Sequence, residues 1–241
     1  MKRILLIDTS EAKCSVAMTE NETIIAEISS GDGAQQASAK SDHSEKLALY
    51  IDEIIRKCGS FDAVAVNVGP GSYTGLRIGL STAKGLCYGG NKPLIAVDSL
   101  TALAQGTIAQ CPDIQQDNIL LPMIDARRME VYCAEYNACG VQLTDVQPLI
   151  VDNNTNFDTS KNYYIFGSGA SKCIKQLLDN GLNVTHLEIE ESAANMAKIA
   201  QKRLSEGLTE DVAYIEPFYL KEWQPAVPCT PKNRNMLETS K

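Results

Sequence analysis

Histidine is scarce in this 241-residue chain, which has two, and none of its eight cysteines stands in a C-x-x-C pair. His43 and His186 lie far apart, and neither an H-x-x-x-H nor an H-E-x-x-H spacing occurs, so the sequence offers no zinc site. No Ser-His-Asp set can be assembled around either histidine. Basic residues are in deficit, with 22 Lys and Arg against 30 Asp and Glu and a net charge of -8. That balance favours solubility and excludes a broad cationic nucleic-acid surface, while leaving room for a local basic patch. No apolar run reaches the length of a membrane span. The opening MKRILLIDTS carries a basic pair, but its apolar run is short and stops at Asp8, so it reads as a first strand and not a signal peptide. Unpaired cysteines among apolar neighbours fit a reducing cytosol, and a cytoplasmic location is expected.

What is present is an ordinary globular composition, 44% hydrophobic and 22% charged. Ile4 to Ile7 form a continuous apolar run, and Cys14–Thr19 and Thr23–Ile28 follow it as two more strands. Ser29 to Ser41, rich in Ser, Gly, Ala and Gln, reads as a mobile loop. Asp42 and Glu45 have capping-box spacing, and Leu47, Tyr50, Ile51, Ile54, Ile55 and Cys58 give the helix that follows one apolar face, with Gly59 as its stop. Val64–Val68 is a buried strand, Ser72 to about Gly89 a helix, Leu94–Val97 a strand, and Ser99 a helix cap. The second half repeats the theme. Ile7-Asp8 before a strand matches Ile124-Asp125 before Glu130–Tyr136, and Gly69-Pro70-Gly71 matches Gly167-Ser168-Gly169, each after a buried strand. Strands at Tyr163–Phe166 and Val184–Ile189, with helices at Ser171–Leu178 and Ser192–Leu204, complete an α/β protein of two duplicated βββαβα lobes. The expected division is 1–105, 106–220 and a proline-broken tail, 221–241, either disordered or laid on a surface.

The stretch VGPGSYTGLRIGLSTAKGL lacks the spacing and the Lys-Ser/Thr pair of a Walker A loop. Gly69, Gly71 and Gly75 form a loose dinucleotide-like pattern, but three strands precede it and its third glycine is displaced. The stretch reads better as a tight turn and a helix whose Gly75, Gly79 and Ala83 recur every four residues, so that another element approaches closely. That contact is either internal or with another chain; the residues alone do not choose. Asp8 and Asp125 end strands before polar turns. In a duplicated fold they face each other across a cleft, where paired acids hold a Mg²⁺-nucleotide or simply cap their turns. His43 at a helix start reads as surface or interface, and Arg127-Arg128 as a solvated pair able to meet an anion.

The segments ILLIDTS with CSVAM, DHSEKL, VNVGPGSYTGLRIGLSTAKGL, MIDARRMEVY and IFGSGA, spread over residues 4 to 170, resemble the bacterial TsaB (YeaZ) family of the actin-like and glycoprotease-like superfamily. The resemblance implies two actin-like (RNase H-like, ASKHA) lobes and a non-catalytic scaffold for threonylcarbamoylation of adenosine 37 in tRNAs reading codons that start with A. The implied partners are the catalytic paralogue TsaD and the ATPase TsaE, with TsaC making the threonylcarbamoyl-adenylate and tRNA reached through the complex. The chain is expected to form a homodimer when alone and to contact no membrane. The docking surface implied lies on the first lobe's two helices, carried here by His43, Leu47, Tyr50, Ile51, Ile54, Tyr73, Gly75, Leu76, Gly79 and Ala83. Asp8, Ser10 and Asp125 take the place of the phosphate-loop residues of actin-like ATPases, and Gly167 and Gly169 that of the adenosine loop. Asp8-Thr9-Ser10 lacks the glycine that admits a phosphate. No resident cofactor is therefore implied, and ATP with Mg²⁺ enters only at an interface of the complex. The competing readings are an independent nucleotide hydrolase, a glycoprotease-like peptidase and a dinucleotide-binding module.

Overall fold

The computed structural model describes residues 1–30, 43–189 and 191–220. Asp42 of the expected capping box, most of the Ser29–Ser41 loop and the 221–241 tail lie outside the described residues.

β1 (Arg3–Asp8) is the middle of the first sheet, because its apolar run Ile4–Ile7 is fully buried on both faces. It pairs antiparallel with β2 (Ser15–Glu20), which pairs antiparallel with β3 (Thr23–Ser29). On its other side it runs parallel to β4 (Ala63–Gly69), which runs parallel to β5 (Leu94–Asp98). The second sheet repeats these pairings. β6 (Ile119–Asp125) lies antiparallel to β7 (Glu130–Cys133) and to the two-residue β8 (Tyr136–Asn137), and β7 pairs antiparallel with β9 (Gln147–Ile150). Parallel strands β10 (Asn162–Phe166) and β11 (Asn183–His186) follow on the other side of β6. The orders β3-β2-β1-β4-β5 and β9-β7-β6-β10-β11 correspond strand for strand, which is the two-lobe duplication expected of an actin-like fold. The copies differ in detail, and β8 has no counterpart in the first sheet. α1 (His43–Cys58) stands between β3 and β4, whereas β9 leads to β10 with no helix between them.

Alternate side chains of β1 point to opposite faces and choose different partners. Leu5 and Ile7 meet Leu47, Ile51 and Ile54 of α1 and Leu80 and Ala83 of α2 (Tyr73–Gly90). Ile4 and Leu6 meet Ala193, Met196, Ala197 and Ala200, from a short 3-10 turn and α5 (Ala197–Ser205). The final helix therefore covers the first sheet, not the second. α3 (Ser99–Gln110) makes the reverse crossing, with Leu100, Leu103 and Ala104 against Leu120, Ile124, Tyr136 and Phe166. The first lobe thus borrows α5 from the second half of the chain, α3 lies between the lobes with its Ala102 in the first-lobe core, and the expected boundary near Gly106 falls inside α3. The cap of α3 is also corrected. Asp98 accepts the Thr101 N–H at 2.8 Å, while Ser99 lies inside the helix and donates to Asn67 Oδ1 at 2.7 Å.

Residues 210–220 return to the first lobe as a strap. Glu210 N–H donates to Leu94 O at 2.8 Å and Phe218 N–H to Val68 O at 2.7 Å, while Val212 and Ile215 pack on the core beneath α2. Arg77 of α2 donates to Tyr219 Oη at 3.0 Å and lies 4.0 Å over the Tyr73 ring. Among the described residues, no helix is long and apolar enough to cross a membrane.

Candidate functional site in the interlobe cleft

The ends of β1 and β6 and the turns that follow them line one cleft. Asp8, at the end of β1, is held by its own lobe. Its Oδ1 accepts the Ser10 N–H at 2.9 Å and the Ser10 hydroxyl at 2.7 Å, and its Oδ2 accepts Asn67 Nδ2 at 2.9 Å. Asn67 is a polar residue inside the apolar strand β4, and it is fully committed. Its amide also donates to Ser10 Oγ, and its carbonyl accepts the Gly69 N–H and the Ser99 hydroxyl. A polar side chain buried this way is tolerated because every group on it is paired.

Asp125, at the end of β6, has a cation of its own. Lys172 of α4 (Ala170–Asp179) donates to Asp125 Oδ1 and to Glu130 O, and the Arg127 N–H reaches the same carboxylate at 2.7 Å. Partial burial pushes the Asp125 carboxyl up, but the Lys172 hydrogen bond, the Arg127 N–H and both neighbouring charges outweigh it and hold the group below its ordinary range. The Ser168 hydroxyl oxygen accepts the Asp125 N–H at 3.0 Å.

Glu11 joins the two turns, and the sequence reading missed it. Its Oε1 is shut off from solvent without a hydrogen-bond partner among the described residues, while the carboxyl also bonds Ser168 of the other lobe. Burial, reinforced by Glu191, Asp8 and Asp125, raises its pKa to about 8 against the pull of the Ser168 hydrogen bond, so the group is protonated at neutral pH. Glu191 is raised as well, by burial and by Asp8, with Lys13 opposing. A cavity of about 20 Å³ lies among Asp8, Glu11, Asn67 and Ser99, enough for about one water. Beside it a wider opening of about 490 Å³ is bordered by Lys13, Gly167, Ser168, His186 and Glu191.

The Mg²⁺-nucleotide expectation for Asp8 and Asp125 does not fit this chemistry. A hard cation takes six or more oxygen ligands, and here it would have to compete with Ser10 and Asn67 at Asp8 and with the Lys172 ammonium at Asp125. Among the described residues, no three His, Cys, Asp or Glu side chains converge as metal ligands. The glycines of the second turn have structural reasons of their own. A Cβ on Gly167 (φ 93°) would meet Met123 O at 2.7 Å, and one on Gly169 would meet Val131 Cγ1 at 2.7 Å.

Most of the remaining expected site residues are buried in the first lobe. His43 is buried, with Nε2 3.0 Å from Glu11 O, which corrects its reading as a surface or interface residue. Leu47, Ile51, Ile54, Leu76 and Ala83 are also buried in the first lobe. The close approach permitted by Gly75 and Gly79 is made by the chain's own Thr9, whose carbonyl and hydroxyl would lie 2.0 Å and 2.3 Å from added Cβ atoms. At these positions the expected contact with a second chain is corrected: the stripe faces inward. Of the expected docking residues, Tyr73 stays exposed and Tyr50 half-buried.

Comparison with known proteins places this architecture. The sequence model described as "TsaD: tRNA N6-adenosine threonylcarbamoyltransferase" matches residues 21–223. The Escherichia coli (strain K12) protein named tRNA threonylcarbamoyladenosine biosynthesis protein TsaB is 31% identical over 231 residues, covering 91% of this chain and 94% of that one. Its namesake from Haemophilus influenzae is 28% identical, covering 90% and 93%. The solved structure of YeaZ from Pseudomonas aeruginosa superposes with a TM-score of 0.71 at 21% identity, over 91% of this chain and all of that one, and shares the fold. With two duplicated sheets and a relative 31% identical over 91% of the chain, the chain belongs to the TsaB (YeaZ) family.

Proposed function

We propose that this chain is a non-catalytic accessory subunit in the formation of threonylcarbamoyladenosine in tRNA, and that it docks a catalytic TsaD-type paralogue through the outer face of α1 and α2. The observation that carries this reading is that both cleft aspartates are already engaged, Asp8 by Ser10 and Asn67 and Asp125 by the Lys172 ammonium, which disfavours either as a Mg²⁺ ligand or a general base. The names of the full-length relatives supply the pathway. A TsaE-type ATPase joins the same assembly in the cytoplasm, tRNA is reached through it, and the isolated chain pairs with itself over the same face.

The outer face of α2 has its own row of small residues, Ser81, Gly85 and Gly89, on the side opposite Gly75 and Gly79. All three are exposed, and a Cβ on Gly85 or Gly89 meets nothing within 4 Å. Gly85→Arg is therefore the substitution that tests docking without touching the core. It is expected to keep or slightly raise the melting temperature, since glycine inside a helix costs about 1 kcal/mol relative to good helix formers. Co-elution with the TsaD-type partner is expected to fall at least tenfold, as is modified adenosine in tRNA from cells carrying only the variant. Unchanged co-elution removes the docking surface. Turnover of ATP or a peptide by the purified chain, lost in Asp8→Ala, replaces the scaffold reading with an enzyme.

A further inference from the structure

We propose that the turn carrying Arg127 and Arg128 is a contact for RNA backbone phosphates. The naming of RNA rests on the function proposed above.

The turn joins β6 to β7 and breaks a local rule. Arg127 and Arg128 both have positive φ, 74° and 52°, in consecutive positions where glycine or asparagine is the usual choice. Long side chains in this conformation are held there by the surroundings. The Ala126 N–H donates to Glu130 O, the Glu130 N–H to Arg127 O, and the Arg127 N–H to the Asp125 carboxylate, which is itself fixed by Lys172. Backbone strain of this kind clusters at functional sites.

Both arginines are exposed, and among the described residues neither guanidinium forms a hydrogen bond or an ion pair. Asp125 lies close enough to Arg127 to feel its charge, but Lys172 already neutralises that carboxylate. Two planar five-donor groups are thus presented to solvent on a protein whose net charge is -8. Neither arginine lines the small cavity or the wider opening of the cleft. Small-molecule sites are typically enclosing clefts. A pair displayed on an open turn suits an extended polyanion, in which successive phosphates meet successive guanidiniums. The acidic remainder of the surface confines the contact to this point and makes it one of position, not of bulk affinity.

The test is a salt titration of full-length protein, alone and with the TsaD-type partner bound, with an unmodified tRNA transcript whose anticodon reads a codon starting with A. Arg127→Gln/Arg128→Gln is expected to weaken binding about tenfold at low salt and to reduce the slope of log affinity against log salt by about 1 to 2. Arg127→Lys/Arg128→Lys keeps most of the slope. Arg127→Asn/Arg128→Gly is expected to lose RNA binding while melting a few degrees higher, roughly 2–4 °C for a chain of this size, because the turn is relieved. That opposition of stability and binding is what a merely structural turn does not produce. The proposal is overturned by equal RNA affinity and slope in the Gln pair, by wild-type protein that binds no RNA in either state, or by an arginine-dependent response to inorganic phosphate or ATP alone. Co-elution with the TsaD-type partner is unaffected by these variants, so failure here leaves the docking reading standing, and failure of docking leaves the salt slope intact.

Discussion

Gly79→Arg unfolds the first lobe, with or without a partner present. A Cβ at this position lies 2.3 Å from Thr9 Oγ1, and Thr9 has no room to give. It is fully buried, and its hydroxyl donates to Gly75 O at 2.8 Å, tying α2 to the turn after β1. Gly75 and Gly71 are pressed against the same turn, with Cβ positions 2.0 Å from Thr9 O and 2.3 Å from Ser10 O. An arginine adds strain and a buried cation together. Overpacking alone costs about 1–3 kcal/mol, and an unpaired buried charge several more. Against a total stability of about 5–15 kcal/mol, the expected result is insoluble protein or a melting temperature lowered by more than 10 °C. Gly79→Ala, the smallest insertion, is expected to cost about 1–3 kcal/mol in urea unfolding. If Gly79→Arg melts with the wild type, α2 does not pack on Thr9 as described. Loss of partner binding in this variant therefore says nothing about docking, which is why Gly85 is the informative position.

The difference between Gly79 and Gly85 shows how much the sequence conveyed. Small residues four apart identify a helix that something approaches closely, but a helix has two sides and α2 has such a row on each. The inward row is decided by Thr9, about 70 residues away along the chain, and no local pattern reports that. The buried strands β1, β4 and β6 were legible because both faces are covered and the apolar runs are continuous. The duplication was legible because strand, acid and turn recur in order. β9 was missed: Gln147 to Ile150 is a short edge strand containing Pro148, with little apolar pattern. The placement of α5 on the first lobe and of α3 between the lobes is a matter of tertiary packing, which α5, with few apolar residues and a weak pattern, does not announce. Within the cleft, Asp8 and Asp125 were recognised by position, but their partners Asn67 and Lys172 were not. Asn67 carried a usable signal, being an amide inside AVAVNVG, where only a fully paired polar group is tolerated. Glu11 carried none. A carboxylate in a polar turn looks solvated until the other lobe closes over it.

That closure makes the stability of the wild-type protein fall as pH rises from about 5 to 8, and Glu11→Gln removes most of the fall. The folded state holds the Glu11 proton up to about pH 8, whereas the unfolded chain releases it near 4.5. Between these values the native state binds more protons, so unfolding free energy decreases with increasing pH. The contribution is fully present below 4.5 and is lost as pH rises through 8. Glu191 is shifted in the same direction and adds to the slope, while Asp125 is shifted the opposite way and acts only on the acid side. At about 1.4 kcal/mol per unit, the separation between 4.5 and about 8 makes the full loss on the order of 5 kcal/mol. Glutamine keeps the shape of the protonated acid without the charge, so the variant should match the wild type near pH 5 and exceed it at pH 9. Urea unfolding at intervals between these limits measures this directly, and parallel curves for the two proteins would refute a buried, protonated Glu11. A local readout separates this carboxyl from the rest. Because Glu11 reaches Ser168 across the cleft, amide exchange in the turn 167–170 should quicken above pH 8 beyond its intrinsic pH dependence in the wild type, and not in Glu11→Gln. A charge appearing on Glu11 faces Asp8 and Asp125 from the ends of the two central strands and Glu191, itself opposed by Lys13, from the segment returning to the first lobe. The proton on Glu11 is thus what lets these two acid-bearing turns lie together.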